Sequence, residues 1–129
     1  MGAGVVTDEP RALVLDEGLS LWGGMDPATG DLIDVHHPQR GANLAGRVLV
    51  MPNGRGSSSS ASVLAEAVRA GTAPAAIVLA EPDLILSIGS AVAEELYGVR
   101  VPVVVVDPEH FGAIADGDPV SVEDIVGGR

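Results

Sequence analysis

The sequence predicts an α/β domain in which apolar strands alternate with helices, and three observations support this prediction. Runs of aliphatic and β-branched residues recur at residues 47–51, 75–79 and 101–106. Between these runs, residues 62–70 and 87–97 carry apolar residues at helical spacing, and Gly71 and Gly98 stand where helices commonly end. Strands that are apolar throughout indicate a sheet with both faces covered.

The length and composition fit one folded domain. The 129 residues predict a single domain over 1–129, with a core at about 12–126. Because 47% of the residues are hydrophobic, the composition excludes intrinsic disorder. Trp22, Tyr97 and Phe111 are the only residues of their types, so the core is expected to consist of Val, Leu, Ile and Ala.

The charge balance and the absence of cysteine exclude several classes of function. Eighteen Asp and Glu stand against seven Arg, and the formal net charge of −11 would repel a nucleic-acid backbone or an anionic membrane surface. Without cysteine, the chain can hold neither a disulfide nor a thiolate-ligated metal. The apolar runs are too short to span a bilayer, and no signal peptide opens the sequence. We therefore expect a cytoplasmic protein that binds no nucleic acid and no membrane.

The first half of the chain is predicted to form short strands separated by turns. Residues 12–15 and 19–24 are brief apolar runs, and residues 25–30 contain the Asp-Pro pair and the Gly that are typical of a turn. The pattern then predicts an edge strand at residues 31–35 and a loop at residues 39–46. The first buried strand is predicted at residues 47–51.

The second half is predicted to alternate between helices and strands. In the helix at residues 87–97, Glu94 and Glu95 are expected to face solvent. Four apolar residues are expected to face the core: Ile88, Ala91, Val92 and Leu96. The strand at 101–106 is expected to be buried because it is the most β-branched segment. A helical turn at 108–115 and a last strand at 120–125 are expected to follow.

The segment best suited to chemistry is residues 53–60, Asn-Gly-Arg-Gly-Ser-Ser-Ser-Ser, which we call the serine loop. It joins the first buried strand to the first helix, and such junctions present backbone N–H groups that bind anions. Gly54 and Gly56 let the backbone approach a ligand, and Arg55 provides donors for a carboxylate or phosphate. A flexible loop whose serine only caps the helix is the alternative interpretation.

The other polar clusters are interpreted as structural. His36 and His37 are adjacent in an extended segment and point to opposite faces, which argues against a metal pair. Residues 81–83 follow a buried strand, where open α/β sheets place ligands, but a solvated loop is the preferred interpretation. His110 has no second metal ligand at a useful spacing, and no base is identifiable for a serine triad.

Several motifs together resemble one protein family. They are Leu-Trp-Gly-Gly-Met-Asp-Pro at 21–27, His-His-Pro at 36–38, Leu-Ala-Gly-Arg-Val-Leu-Val at 44–50, Gly-Arg-Gly-Ser-Ser-Ser at 54–59, Glu-Pro-Asp at 81–83 and Glu-Leu-Tyr-Gly at 95–98. This combination resembles the small, swivelling-domain subunit of the aconitase X group. The resemblance covers residues 12–124.

The resemblance implies a swivelling β/β/α domain that pairs with a separate large subunit, as a heterodimer or a larger assembly. It implies that the large subunit holds an iron or iron–sulfur centre, with no metal or cofactor in this chain. Known members of the group dehydrate cis-3-hydroxy-L-proline or 5-phosphomevalonate. The implied activity is therefore that of a hydro-lyase, active only with both chains present, on a small anionic hydroxy acid.

The resemblance also implies a role for the serine loop. In aconitase-like swivel domains, the first serine of a Gly-Ser-Ser stretch removes a carbon-bound proton, and this pattern falls on Ser57. Arg55, Gly56 and Ser58 are then expected to bind the substrate. The alternative is a non-catalytic anion-binding or regulatory swivel module. A phosphate-carrying swivel domain is disfavoured because no histidine starts a helix.

Trp22 is the one tryptophan of the sequence. We expect the segment around Trp22 and the serine loop to lie on one face that the large subunit covers, since aromatic residues are enriched in interface cores. The alternative is that Trp22 fills the core of its own domain.

Overall fold

Four parallel strands form the sheet at the centre of the fold. The structure is a computed structural model that describes residues 9–126. The strands are β1 (Ala12–Val14), β2 (Val48–Met51), β3 (Ala76–Leu79) and β4 (Val103–Val105). They lie in the order β1-β2-β3-β4, and every neighbouring pair is parallel. The predicted α/β class is therefore confirmed.

Helices make the connections between the later strands. The described residues form α1 (Leu21–Gly24), α2 (Ser60–Ala70), α3 (Leu84–Tyr97), α4 (Pro108–Ala113) and α5 (Val122–Val126). Helix α2 connects β2 to β3 and α3 connects β3 to β4, because parallel neighbours need a crossover. Both helices end at the predicted glycines, Gly71 and Gly98, in the left-handed conformation. Within residues 9–126, no helix has both the length and the apolar character needed to cross a bilayer.

The side chains of the two central strands alternate between two apolar clusters. The larger side chains lie under α2 and α3, and the smaller ones pack on the face that carries α4 and α5. The first set is Leu49, Met51, Ile77 and Leu79, and the second is Val48, Val50, Ala76 and Val78. All eight are fully buried, so the prediction of a sheet covered on both faces is confirmed for β2 and β3.

Helix α3 presents a different face to the core from the predicted one. Its buried residues are Leu86, Gly89, Ser90 and Ala93, whereas Ile88, Ala91, Val92 and Leu96 are exposed. The predicted inward face is therefore wrong. The reason is the close approach of α2, since a Cβ atom at Gly89 would lie 2.9 Å from the Cα of Ala61. Only the small-residue face of α3 fits against its neighbour.

The segment at residues 120–125, which we predicted to be a strand, forms helix α5 instead. The Asp124 N–H donates to the Ser121 hydroxyl at 3.3 Å, and the Ile125 N–H donates to the Ser121 carbonyl at 3.2 Å. Glu123 and Asp124 also lie in the first turn, where the helix dipole favours negative charge. These local hydrogen bonds and charges outweigh the β-branched composition that suggested a strand.

The apolar runs at residues 19–24 and 31–35 also differ from prediction. The first contains the short α1, which is kinked because Trp22 and Gly23 have non-helical backbone angles and Gly23 has a φ of 81°. The predicted edge strand at 31–35 is reduced to isolated bridges, Met25 with Leu32 and Asp31 with Asn43. Both runs belong to the long irregular connection between β1 and β2.

Strand β4 is shorter and less buried than the prediction for residues 101–106. Its side chains are half-buried, and Val105 is exposed. The reason is its place in the sheet, since among the described residues β4 is an edge strand that pairs with β3 alone. The helical turn predicted after it is confirmed as α4.

Candidate functional site

The carboxyl ends of three strands bring three loops to one edge of the sheet. The serine loop follows β2, residues 16–18 follow β1 and residues 81–83 follow β3. Parallel α/β sheets bind ligands at this edge.

Direct contacts hold these three loops together. The Leu19 N–H donates to the Asn53 carbonyl at 3.3 Å, and a Cβ atom at Gly18 would lie 2.5 Å from the same oxygen. On the other side, the Asp83 carboxylate occupies the space that a Cβ atom of Gly54 would need. Glycine is therefore required at both positions for the loops to approach each other.

Ser57 lies in a turn that leads into α2, and it is half-buried. Its Oγ accepts a hydrogen bond from the Ser59 N–H at 3.3 Å, and its carbonyl accepts one from the Ser60 N–H at 3.1 Å. Helix α2 begins at Ser60, two residues before the predicted start, so Ser57 is close to the positive end of the helix dipole. An amide donor and a helix N-terminus both stabilise negative charge on a nearby oxygen.

Arg55 and Gly56 turn the serine loop through left-handed backbone conformations. The φ of Arg55 is 55° and that of Gly56 is 70°. The Asn53 side chain supports this turn, because its Oδ1 accepts a hydrogen bond from the Arg55 N–H at 3.1 Å. The Arg55 guanidinium donates to Oε1 of Glu17 at 2.6 Å, which joins the serine loop to the loop after β1.

Ser60, the last residue of the serine loop, has a structural role that the sequence analysis did not assign to it. Its Oγ accepts a hydrogen bond from the Trp22 N–H at 3.2 Å and lies 3.3 Å from the Ser20 hydroxyl, which donates to the Trp22 carbonyl at 3.1 Å. The side chain of Ser60 is buried, whereas Ser59 occupies the N-cap position without a side-chain capping bond. Ser60 therefore ties α1 to the start of α2. Because the four serines at 57–60 are identical in the sequence, no sequence pattern indicates that Ser60 is the buried one.

Trp22 lies on the surface next to the serine loop. It is 60% exposed, so the alternative that it fills the core of its domain is wrong. Its backbone hydrogen bond to Ser60 places it at the start of α2. The structure thus brings Trp22 and the serine loop to neighbouring positions.

Two polar residues that sequence analysis considered as ligands support the site as structural groups. His37 is buried, its Nδ1 accepts from the Gln39 N–H at 3.0 Å, and its Nε2 donates to the Glu17 carbonyl at 3.1 Å. Asp83 is the N-cap of α3, where its Oδ1 accepts from the Leu86 N–H at 2.9 Å. Both side chains therefore make structural hydrogen bonds, and Asp83 caps α3 where we predicted a solvated loop. His36 is exposed.

The residues of this chain do not suit an iron–sulfur cluster. Such clusters are held by cysteine thiolates, and the sequence contains no cysteine. Within residues 9–126, no group of three or more His, Asp or Glu is arranged to hold a metal ion. What the site offers is a hydroxyl, backbone N–H groups and a guanidinium, which suit an anionic ligand.

A second concave region lies away from the serine loop, between the sheet and helices α4 and α5. It has a volume of about 550 Å³ and is lined mainly by aliphatic residues, among them Val78, Val104 and Ile125. At its rim, Nδ1 of His110 lies 2.8 Å from Oδ1 of Asp107. Hydrogen bonding to Asp107 raises the pKa of His110, and the His110 N–H and side chain lower the pKa of Asp107.

Comparison with known proteins connects this arrangement to one family. The family model described as "Aconitase X swivel domain" matches residues 4–128. A cis-3-hydroxy-L-proline dehydratase of Pseudomonas aeruginosa is 51% identical over 98 residues, which is 76% of this chain and 17% of the relative. The phosphomevalonate dehydratase small subunit of Methanopyrus kandleri is 48% identical over 81 residues, which is 63% of this chain and 60% of the relative.

The fold agrees with these matches. The crystal structure of Thermococcus kodakaraensis aconitase X in its holo-form superposes with a TM-score of 0.71 at 29% identity, covering 84% of this chain and 77% of that chain. The present chain spans 17% of the P. aeruginosa relative's length. The match over residues 4–128 shows that this chain belongs to the aconitase X swivel-domain family.

Proposed function

We propose that this chain is the small subunit of a two-chain hydro-lyase of the aconitase X type. It supplies a serine base to the dehydration of a small hydroxy acid, and a large subunit supplies the rest of the active site. Two relatives support this assignment by name, since one is a dehydratase of cis-3-hydroxy-L-proline and another is a small subunit of phosphomevalonate dehydratase. Both named substrates carry a carboxylate and a hydroxyl group.

The position of Ser57 carries the proposal. Its hydroxyl lies at the carboxyl edge of the sheet, accepts an amide N–H and is close to the N-terminus of α2. A free serine hydroxyl is a poor base near neutral pH, so it needs surroundings that stabilise its deprotonated form. The Ser59 N–H and the helix terminus provide part of that stabilisation.

In the proposed reaction, Oγ of Ser57 takes a proton from a carbon atom of the substrate. The electron pair of the broken C–H bond forms a carbon–carbon double bond as the hydroxyl group leaves from the neighbouring carbon. The hydroxyl group leaves as hydroxide and takes up one proton to become water, and Ser57 then releases the abstracted proton to regenerate the base, so that the net change is the loss of one water molecule.

The neighbours of Ser57 are proposed to bind the substrate. Arg55 provides a guanidinium at the edge of the site, and the backbone N–H groups of Gly56 and Ser58 are proposed as further donors for a carboxylate. Because the chain has no cysteine, we assign the iron or iron–sulfur centre of the enzyme to the large subunit. The assembly is proposed to be a soluble, cytoplasmic heterodimer or a multiple of it.

The test is steady-state kinetics of serine variants in the complex with the large subunit. Ser57→Ala should lower kcat by at least about 10²-fold, the usual scale for the loss of a base. The matched control is Ser62→Ala, an exposed serine of α2 whose Oγ donates to the Ser59 carbonyl at 3.1 Å. Near-normal kcat for Ser57→Ala would contradict the assignment. If Ser58→Ala abolished turnover at the same time, the base would be Ser58.

A further inference from the structure

Helix α3 carries a stripe of exposed apolar side chains along its length. Its members are Leu84, Ile88, Val92 and Leu96, spaced four residues apart, and we call them the α3 stripe. They range from 43% exposed at Val92 to 74% at Leu84. Four large aliphatic side chains in a row are more than the isolated exposed residues that a soluble surface normally carries.

The packing of α3 fixes the stripe in this outward position. Gly89 lies directly against the backbone of Ala61 in α2, and the Ser90 hydroxyl donates to the Val101 carbonyl on the same buried side. Turning α3 to bury the stripe would force branched side chains into the space that Gly89 leaves for α2. The stripe is therefore a constant feature of the surface of this fold.

The stripe begins beside the candidate active site. Leu84 follows Asp83, whose carboxylate lies against Gly54 of the serine loop. A surface that covers the first turn of α3 therefore also reaches the edge of the sheet where Ser57 lies. This continuity links the stripe to the part of the enzyme that must complete the site.

We propose that the α3 stripe is a docking surface for the large subunit, which meets it with an apolar surface flanked by Arg or Lys side chains. The inference rests on the proposed function. Charge decides the kind of partner. Glu95 is exposed on the same side of α3, one turn after Val92, and the chain has a net charge of −11 without a single lysine. A second copy of this chain would place its own acidic residues against those beside the stripe, and the like charges would repel each other. A partner surface with Arg or Lys side chains around its apolar part would instead be attracted to the stripe.

The experiment measures the Kd between the full chain and its separately purified large subunit by calorimetry. Ile88→Asn and Leu96→Asn remove apolar contact without adding charge, and each should weaken binding at least about tenfold. Val35→Asn is the matched control, because Val35 is 63% exposed, as Leu96 is, and lies outside α3. It should leave the Kd within about twofold. Glu95→Lys should also weaken binding, and its effect should shrink as salt concentration rises.

Each outcome decides the proposal. Unchanged affinity in both stripe variants, or an equal loss in Val35→Asn, would overturn the docking surface while leaving the role of Ser57 intact. Ser57→Ala should bind the large subunit with normal affinity, so a failure of the catalytic assignment appears in kcat and not in the Kd. A concentration-dependent dimer of this chain alone that Leu96→Asn dissociates would assign the stripe to a second copy and overturn the proposal. Absence of binding by the unaltered chain would overturn the two-chain assembly itself.

Discussion

Arg55 donates to Oε1 of Glu17 at 2.6 Å, and this ion pair joins the loops that follow β2 and β1. Both side chains are nearly half exposed, so the pair contributes at most about 1 kcal/mol to stability. The left-handed backbone of Arg55, with a φ of 55°, costs about 1–2 kcal/mol for a residue other than glycine. The stabilisation by the ion pair therefore does not exceed the cost of the left-handed backbone, so stability alone does not explain an arginine at this position. The role proposed for Arg55, a guanidinium held at the edge of the site for an anionic group, would explain it.

The first prediction concerns competition for this guanidinium. If Arg55 binds the carboxylate of the substrate, Glu17 competes for the same donors. Glu17→Gln should then lower KM several-fold in the assembled enzyme with little change in kcat, because the contact exists before the transition state. Arg55→Ala should raise KM. Unchanged KM values in both variants would restrict Arg55 to shaping the loop.

The second prediction concerns the buried hydroxyl of Ser60. Ser60→Ala leaves the part-buried Trp22 N–H without its partner, and the loss of such a hydrogen bond costs about 1 kcal/mol. Urea unfolding followed by circular dichroism should show this loss as a lower midpoint with an unchanged slope. Ser62→Ala, at an exposed position of the same helix, should shift the free energy of unfolding by no more than about 0.5 kcal/mol. Equal stability of the two variants would contradict the role of Ser60.

The third prediction concerns the contact between α2 and α3. Gly89→Ala places a Cβ atom 2.9 Å from the backbone of Ala61, and such overpacking costs about 1–3 kcal/mol. The higher helix propensity of alanine returns at most about 1 kcal/mol, so the variant should have a lower melting temperature. Gly112→Ala in α4 is the control, because a Cβ atom there meets no other atom within 4 Å. It should be neutral or slightly stabilising. A stabilised Gly89→Ala would show that α2 and α3 are not in close contact.

The fourth prediction concerns the pH dependence of the Asp107–His110 pair. The pair raises the pKa of His110 above 6.5, so its stabilising effect is complete below 6.5 and is lost as the pH rises through the folded-state value. It lowers the pKa of Asp107 below 3.8, so that contribution is present above 3.8 and is lost as the pH falls through the folded-state value. The pair therefore acts fully between about 3.8 and 6.5.

Substitution of Asp107 separates the charge from the helix cap. Asp107→Asn keeps an oxygen for the His110 N–H, which Asp107 accepts at 2.8 Å, but it removes the negative charge. An NMR titration should show the pKa of His110 falling toward its ordinary value. Glu109→Gln should lower the pKa of His110 less, because the charge of Glu109 raises that pKa less than Asp107 does. A larger effect from Glu109→Gln would contradict this order.

The sequence predicted well the features that depend on neighbouring residues. Strands β2 and β3, the glycines that end α2 and α3, and the place of the serine loop after β2 were all predicted from local patterns. The Ser121 hydroxyl that starts α5 is an equally local signal, but the β-branched residues around it favour a strand. Two local signals therefore conflict at this segment, and the helical one prevails.

The face that α3 turns to the core could not be predicted in the same way. Leu86, Gly89, Ser90 and Ala93 form one face and the α3 stripe forms the other, and the second face is the more apolar by composition. Hydrophobic periodicity therefore selects the stripe as the inward face. Close packing against Ala61 selects the small residues instead.

By itself, the sequence determined the α/β class, the alternation of elements and the loop that carries Ser57, because hydrogen-bonding pattern and apolar period act over a few neighbouring residues. The tertiary structure alone decided which side chains meet at the site. Arg55 and Glu17 are 38 positions apart, as are Ser60 and Trp22. Contacts at that separation exist only once the parallel strands have brought their carboxyl ends to one edge, so no local pattern encodes them.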